Sequence, residues 1–148
     1  MATLFDPAAR AALGRRVDRL APDAAGRWGR MTAHEMVCHV SDQLRVALGD
    51  LPTAPRPMFL TNRLLRELFV FVLPWPKGKV PTAPEMQSSR PGDWARDVAA
   101  LRALLDRFGE RPPNGAWAPH PAFGNLSGRE WGRLCHRHTD YHLRQFGA

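Results

Sequence analysis

Along five stretches of the chain, apolar side chains recur at intervals of three and four, and no stretch of any length alternates with period two. That spacing predicts an all-α protein. The first helix is expected over residues 7 to 21, with Ala9, Ala12, Leu13, Val17 and Leu20 inward, ending near Pro22. The second opens at Thr32, whose partner three residues on, Glu35, completes the reciprocal capping pair. It continues through Met36, Val37, Val40, Leu44, Ala47 and Leu48 to a stop at Gly49. Met58 to Leu73 reads as a third helix with Arg63, Arg66 and Glu67 outward, stopped by Pro74. The fourth runs from about Asp93 to Phe108 on a stripe of Trp94, Val98, Leu101, Leu104, Leu105 and Phe108, and Gly109 closes it. Ser127 and Glu130 repeat the capping pair and open the fifth, which reaches Phe146.

Prolines divide these helices unevenly. Eight of the fourteen lie between Pro52 and Pro91 and four between Pro112 and Pro121. They mark two long connections rather than a domain boundary, because neither side alone has enough helices to close a core. The 148 residues are therefore read as one domain, 1–148. Long irregular connections in a compact domain are often placed around a pocket. Pro74-Trp75-Pro76-Lys77-Gly78 and His120-Pro121-Ala122-Phe123-Gly124 are their distinctive parts.

Charge and cysteine content narrow the function classes. Twenty-one basic residues exceed fourteen acidic ones, but nineteen of the basic residues are arginines scattered through nearly every segment, often beside an acid. A nucleic-acid-binding protein would gather them in one stripe, so a nucleic-acid partner is not expected. The longest apolar run, Leu68 to Leu73, is far short of the roughly 20 residues that span a bilayer. The two cysteines, Cys38 and Cys135, form no CxxC pair, and the first ten residues lack a secretory pattern, which points to the cytoplasm.

The unusual excess is histidine: six in so short a chain, five of them in two short stretches. On a wheel of the fifth helix, Trp131, Leu134, Cys135, His138, Tyr141, His142, Gln145 and Phe146 share one face, with His138 and His142 at its centre. Gly132, Arg133, His136, Asp140, Leu143 and Arg144 share the opposite one, which reads as solvated surface. Four-residue spacing stacks the two inward imidazoles one turn apart, within reach of a single metal ion, whereas burying both unpaired would be costly. The second helix offers a third ligand. His34-Glu35-Met36-Val37-Cys38-His39 is not the HExxH of zinc proteases, since five residues separate its histidines by about 140° around the helix. His39, beside the apolar face, is the better third ligand, with Asp42 placed to orient it and Gln145 to orient His142.

These residues resemble a known family. Met31 to Asp42 is similar to the helix of DinB-like metalloenzymes that supplies the first metal ligand, and His138 to Phe146 to their last helix, whose HxxxH supplies the other two. Pro74 to Gly78, Pro81 to Glu85 and His120 to Gly124 resemble one branch, the domain of unknown function 1569. The resemblance implies an up-down-down-up four-helix bundle with a short extra helix, often a homodimer, holding a divalent metal on His39, His138 and His142. Relatives include thiol-dependent transferases and isomerases.

Three imidazoles suit zinc or nickel, and also iron or cobalt, and a fourth position left to water is the catalytic pattern. The expected function is activation of water, or of a low-molecular-weight thiol, for hydrolysis or transfer on a small-molecule substrate. The alternative is a bundle that binds a ligand or metal without turnover. His120, Glu85 and Tyr141 are the candidates for general acid or base, and Trp75, Cys135 and Trp131 are placed around the pocket. Cys135 is read as an ordinary buried thiol rather than a fourth ligand, and Cys38 as inert, facing away from the apolar stripe.

Overall fold

Each long helix begins at a side chain that accepts hydrogen bonds from its own first turn. The computed structural model describes residues 1–78 and 82–148, so Lys79, and Pro81 at the head of the Pro81 to Glu85 stretch, lie outside the described residues. Asp6 caps α1 (Pro7–Asp18) by accepting from the amides of Ala8 and Ala9. Thr32 and Glu35 form the expected reciprocal box on α2 (Ala33–Leu48), which ends at Gly49 in the left-handed conformation, φ 84°. A short α3 (Arg63–Arg66) follows, then α4 (Trp94–Glu110), capped by Asp93, and α5 (Gly128–Gln145), capped by the Ser127 and Glu130 box.

Contacts at the helix ends fix the topology. His34 meets Asp97 near the starts of α2 and α4, and Arg111 donates to the Leu48 carbonyl near their ends, so these helices run parallel. The Leu4 amide meets the Gly132 carbonyl at one end of the α1/α5 pair and Arg16 meets Asp140 at the other, so these also run parallel. Arg10 against Asp106 and Arg102 against Asp18 make α1 and α4 antiparallel. The chain is thus an up-down-down-up four-helix bundle in which α1 and α2 each pack between α4 and α5. The parallel pair demands a long crossover, and the proline-rich segment between α2 and α4 supplies it. Among the described residues the sheet-like pairing is confined to one bridge, His120 with Gly124. None of the described helices is long and apolar enough to cross a membrane.

The core is centred on α2, which is buried on almost its whole circumference, from Ala33, Met36 and Val37 round to Leu44, Val46 and Ala47. Trp131, Leu134 and Leu143 of α5, Leu101, Leu105 and Phe108 of α4, and Leu13 and Val17 of α1 close around it. Each such side chain contributes about 1.5–3 kcal/mol by burial. The scattered arginines are largely tied down singly, as in Arg16 to Asp140, Arg66 to Glu130, Arg107 to Asp50 and Arg133 to Glu67.

Five expectations are corrected. The helix expected over Met58 to Leu73 is three pieces: a 3₁₀ turn at Phe59–Thr61, α3, and a π-helical turn at Glu67–Val72. Asn62 breaks it by accepting from the amides of Leu64 and Leu65, which restarts the helix there. Arg66 is buried rather than outward, because it reaches Glu130 and the carbonyls of Thr61 and Phe123. This segment instead turns Phe59, Leu64, Leu68, Phe69 and Val72 to solvent. Gly109 does not close α4 but lies inside it, where a Cβ would collide with the Arg10 guanidinium; Arg111, extended before Pro112, ends the helix. The far face of α5 is not all solvated: Leu143 is buried and Gly132 lies under Thr3 and Phe5, because α1 and the N-terminal residues cover that side. The first helix ends at Asp18, three residues before the expected limit.

Candidate metal centre

Antiparallel packing of α2 on α5 sets His39 level with the turn carrying His138 and His142. One nitrogen from each of the three rings lies within 4.8 Å of the others, and all three residues are 9% exposed or less. Nε2 of His39 and Nε2 of His138 are 3.0 Å apart, close to the about 3.3 Å separating two imidazole nitrogens on a tetrahedral zinc ion.

The hydrogen bonds around the rings fix their tautomers. His39 Nδ1 is 2.7 Å from the Met86 carbonyl, an acceptor only, so this nitrogen carries the proton and Nε2 presents a lone pair. His142 Nδ1 is 2.8 Å from Gln145 Oε1. The Gln145 amide cannot be flipped, because its Nε2 donates to the Trp28 carbonyl at 2.6 Å, so His142 Nδ1 donates and its Nε2 is a second bare lone pair. His138 can donate an Nε2 proton to only one of them. Its own Nδ1 is buried with no partner among the described residues.

Burial pushes the pKa of all three rings down, His142 to about 3 and His138 well below the ordinary value, where the neighbouring rings add to the effect. Three neutral imidazoles therefore face one point with more lone pairs than protons. That donor set fits a divalent cation, and an ion held by three protein nitrogens keeps room for an exchangeable ligand.

The three rings form one wall of a cleft of about 680 Å³. Trp28, Trp75 and Tyr141 give it aromatic sides, and Arg30 and Arg90 stand at its rim with Glu35. Both arginines are exposed, and neither lies within ion-pair distance of a carboxylate among the described residues. Glu35 is held below the usual carboxylate range by its Thr32 hydrogen bonds, so it faces the cleft ionised.

The other expected residues divide. Gln145 reaches His142 directly. Asp42 does not touch His39: its fully buried carboxylate accepts from the Ser89 amide at 2.8 Å and the Ser89 hydroxyl at 2.5 Å, and so anchors the turn at Pro84–Gln87 whose Met86 carbonyl holds His39. Tyr141 lies in the cleft, but its hydroxyl donates to the Pro76 carbonyl and accepts from Trp28 Nε1 and the Gly78 amide. Glu85 stands outside the cleft lining, bound by Arg56 at 2.7 Å, and its carboxyl is held low by its own backbone amide and by Arg56.

His120 also stands outside the lining, with Nδ1 accepting from the amides of Ala122 and Phe123 and its ring stacked on Phe123. Trp75 lines the cleft, whereas Trp131 and Cys135 lie beneath it in the core, where Trp131 donates to the Ala118 carbonyl and burial keeps the Cys135 thiol protonated. Cys38 is not on an open face but buried near His34 and Asp97. Sequence reasoning passed over Arg30, Arg90 and the cleft-facing side of Glu35, since loop arginines and a capping glutamate look alike whether or not a cleft adjoins them.

The placement of His120 carries a pH consequence. Burial, with help from the Arg66 charge, lowers its pKa to about 3. A depressed histidine contributes stability that is fully present above its unfolded pKa of about 6.5 and is lost as pH falls toward the folded value. His120→Asn keeps a side-chain acceptor for the turn amides but does not titrate. The variant is expected to lose less stability than wild type between pH 6.5 and 4, by about 1–3 kcal/mol. Urea denaturation at several pH values reads this, and equal pH slopes for the two proteins would refute it.

Comparison with known proteins gives a family match. Residues 55–148 match the family described as a protein of unknown function (DUF1569), while no curated protein and no solved structure matches the chain. The matched span takes in the exposed turn at Phe59–Thr61, the cleft-lining Trp75, and His138 and His142, and it leaves His39 on the preceding helix. Bundle, histidine centre and match agree: this chain belongs to the DUF1569 family, within the DinB-like superfamily.

Proposed function

We propose that the protein is a divalent-metal-dependent enzyme that holds its ion on His39, His138 and His142 and acts by hydrolysis or transfer on a small molecule entering the cleft. The observation that carries this reading is the convergence of three neutral imidazoles, two with fixed bare lone pairs, on one wall of a 680 Å³ cleft. Zinc or nickel suits the all-imidazole set best, with iron or cobalt also accommodated. Such an ion supplies Lewis acidity to water or to a low-molecular-weight thiol.

The chain's own residues supply the rest. Trp28, Trp75 and Tyr141 flank an apolar substrate body and exclude water from it. Arg30 and Arg90, neither in an ion pair among the described residues although Arg90 feels the Glu35 charge, favour a substrate carrying a carboxylate or phosphate. Glu35, ionised beside Arg90, is the cleft carboxylate able to take a proton, a better general base than Glu85 or His120 on placement alone. For the homodimer that the family resemblance implies, the solvent-facing Phe59, Leu64, Leu68, Phe69 and Val72 offer an apolar surface. The second reading, a non-catalytic binding bundle, rests on the engaged hydroxyl of Tyr141, which leaves the cleft few free proton donors.

Titration of the cobalt-substituted protein with mercaptoacetate and with mercaptoethanol tests the reading. Both thiols are expected to shift the visible cobalt spectrum. Mercaptoacetate should bind at least about tenfold tighter, a preference that shrinks in Arg90→Met because a charge-assisted hydrogen bond is lost. A spectrum indifferent to both thiols would mean a closed shell and would favour the binding bundle.

A further inference from the structure

The histidine of α2 that the three-histidine centre leaves out has partners of its own. His34 and Cys38 lie one turn apart on α2, so their side chains share a face, and that face packs on α4 where Asp97 stands. His34 Nε2 is 2.8 Å from Asp97 Oδ2, and donor atoms of His34, Cys38 and Asp97 all lie within 4.8 Å of one another. We propose that His34, Cys38 and Asp97 form a second divalent-metal site, of zinc type, distinct from the three-histidine centre.

Four observations favour this over a plain His34 to Asp97 pair. The donor set is one imidazole, one thiol and one carboxylate, each a regular zinc ligand, and three protein ligands leave a position for water. Its charge balances: Cys38 binding as thiolate, its proton released to solvent, together with the Asp97 carboxylate neutralises a divalent cation, and His34 adds a neutral donor. The donors are already held. The Gly92 amide at 2.9 Å and Arg96 Nε at 3.4 Å fix Asp97, and the Trp94 ring meets His34 edge-on with centroids 5.2 Å apart. The site is also reachable, since the His34 and Asp97 side chains are each 18% exposed while Cys38 lies beneath them.

The two sites are separated by the geometry that disqualifies HExxH. His34 and His39, about 140° apart around α2, serve opposite neighbours, α4 and α5. An ion at the second site would pin the starts of two parallel helices together. Because the Gly92 amide binds Asp97, it would also steady the segment carrying Arg90 and Pro91 along the cleft wall.

Cobalt(II) titration of the full chain tests the proposal. The His142→Ala variant, disabled at the three-histidine centre, is expected to retain one cobalt equivalent with near-ultraviolet thiolate-to-cobalt absorption. Adding Cys38→Ser should abolish that absorption and weaken the remaining binding at least tenfold, and adding His34→Gln in its place should weaken binding similarly. Adding Cys135→Ser should change neither. The proposal is overturned if His142→Ala binds no cobalt with thiolate absorption, or if the absorption follows Cys135 instead of Cys38. Circular dichroism shows whether each variant is folded, and His34→Gln stands in for Cys38→Ser should that protein not fold. Failure of the three-histidine reading is seen separately, as absence of cobalt binding in the Cys38→Ser single variant.

Discussion

His138→Ala is expected to lower the divalent-metal affinity of the three-histidine centre at least about 100-fold while leaving the metal-free protein close to wild-type stability. Loss of a group that only orients a ligand typically costs 10- to 100-fold in metal affinity, and loss of the ligand itself is expected to cost more. The stability half follows from the environment of the ring. His138 packs against His39, His142 and Trp75, and truncating a buried side chain of that size ordinarily costs about 2–5 kcal/mol. Here the ring also carries a buried Nδ1 without a partner among the described residues, whose removal returns about 1–3 kcal/mol, and its opposite edge borders the cleft, from which water can fill the space left. The two effects nearly cancel. A histidine kept only for packing would behave oppositely, with a large loss of stability and no metal phenotype. Isothermal titration with zinc in the Cys38→Ser background, which silences the site on the other face of α2, read beside thermal unfolding of the metal-free proteins, separates the two, and unchanged zinc affinity there would remove the centre from consideration.

The bundle was legible in the sequence because helix signals are local. Thr32 with Glu35 and Ser127 with Glu130 cap α2 and α5 where expected, and Gly49 ends α2 in the left-handed conformation that favours glycine. Three of the errors share one cause: a neighbouring element invisible from the segment alone. Gly109 looks like a stop until Arg10 of α1 is laid across it. Leu143 looks stranded on a polar face until α1 covers that face. Arg66 looks like a surface charge until Glu130 and two loop carbonyls meet it.

The histidine centre was partly legible for the same reason. His138 and His142 lie on one helix, so their spacing carries the geometry. His39 needed the second helix to be brought alongside, and the wheel could only prefer it to His34. What holds His39 left no trace in residue type at all, because the acceptor is the Met86 backbone carbonyl, available from any residue. Cys38 was misplaced because the wheel of α2 assumed one buried face, whereas α2 lies at the centre of the bundle and is covered on nearly every side.

Asp42→Ala is expected to weaken metal binding about 10- to 100-fold and to destabilise the fold by about 2–4 kcal/mol, although Asp42 touches none of the three ligands. The carboxylate is fully buried and is reached by the Ser89 amide, the Ser89 and Ser88 hydroxyls and Arg45. Its removal leaves the Ser89 amide without its acceptor and frees the Pro84–Gln87 turn from α2. The Met86 carbonyl then no longer sits at a fixed distance from His39 Nδ1, and the ring loses the bond that keeps its Nε2 lone pair aimed at the centre. Asp42→Asn provides the control. An amide oxygen can still accept from the Ser89 backbone, while the Ser89 hydroxyl can rotate to accept from the new amide group, so most of the turn survives. Stability and zinc affinity should therefore fall together in Asp42→Ala and recover together in Asp42→Asn. A direct role in metal binding would uncouple them, with Asp42→Asn as deficient in zinc affinity as Asp42→Ala despite its restored stability. Urea unfolding and zinc titration of both variants decide between a residue that holds the turn and one that meets the ion.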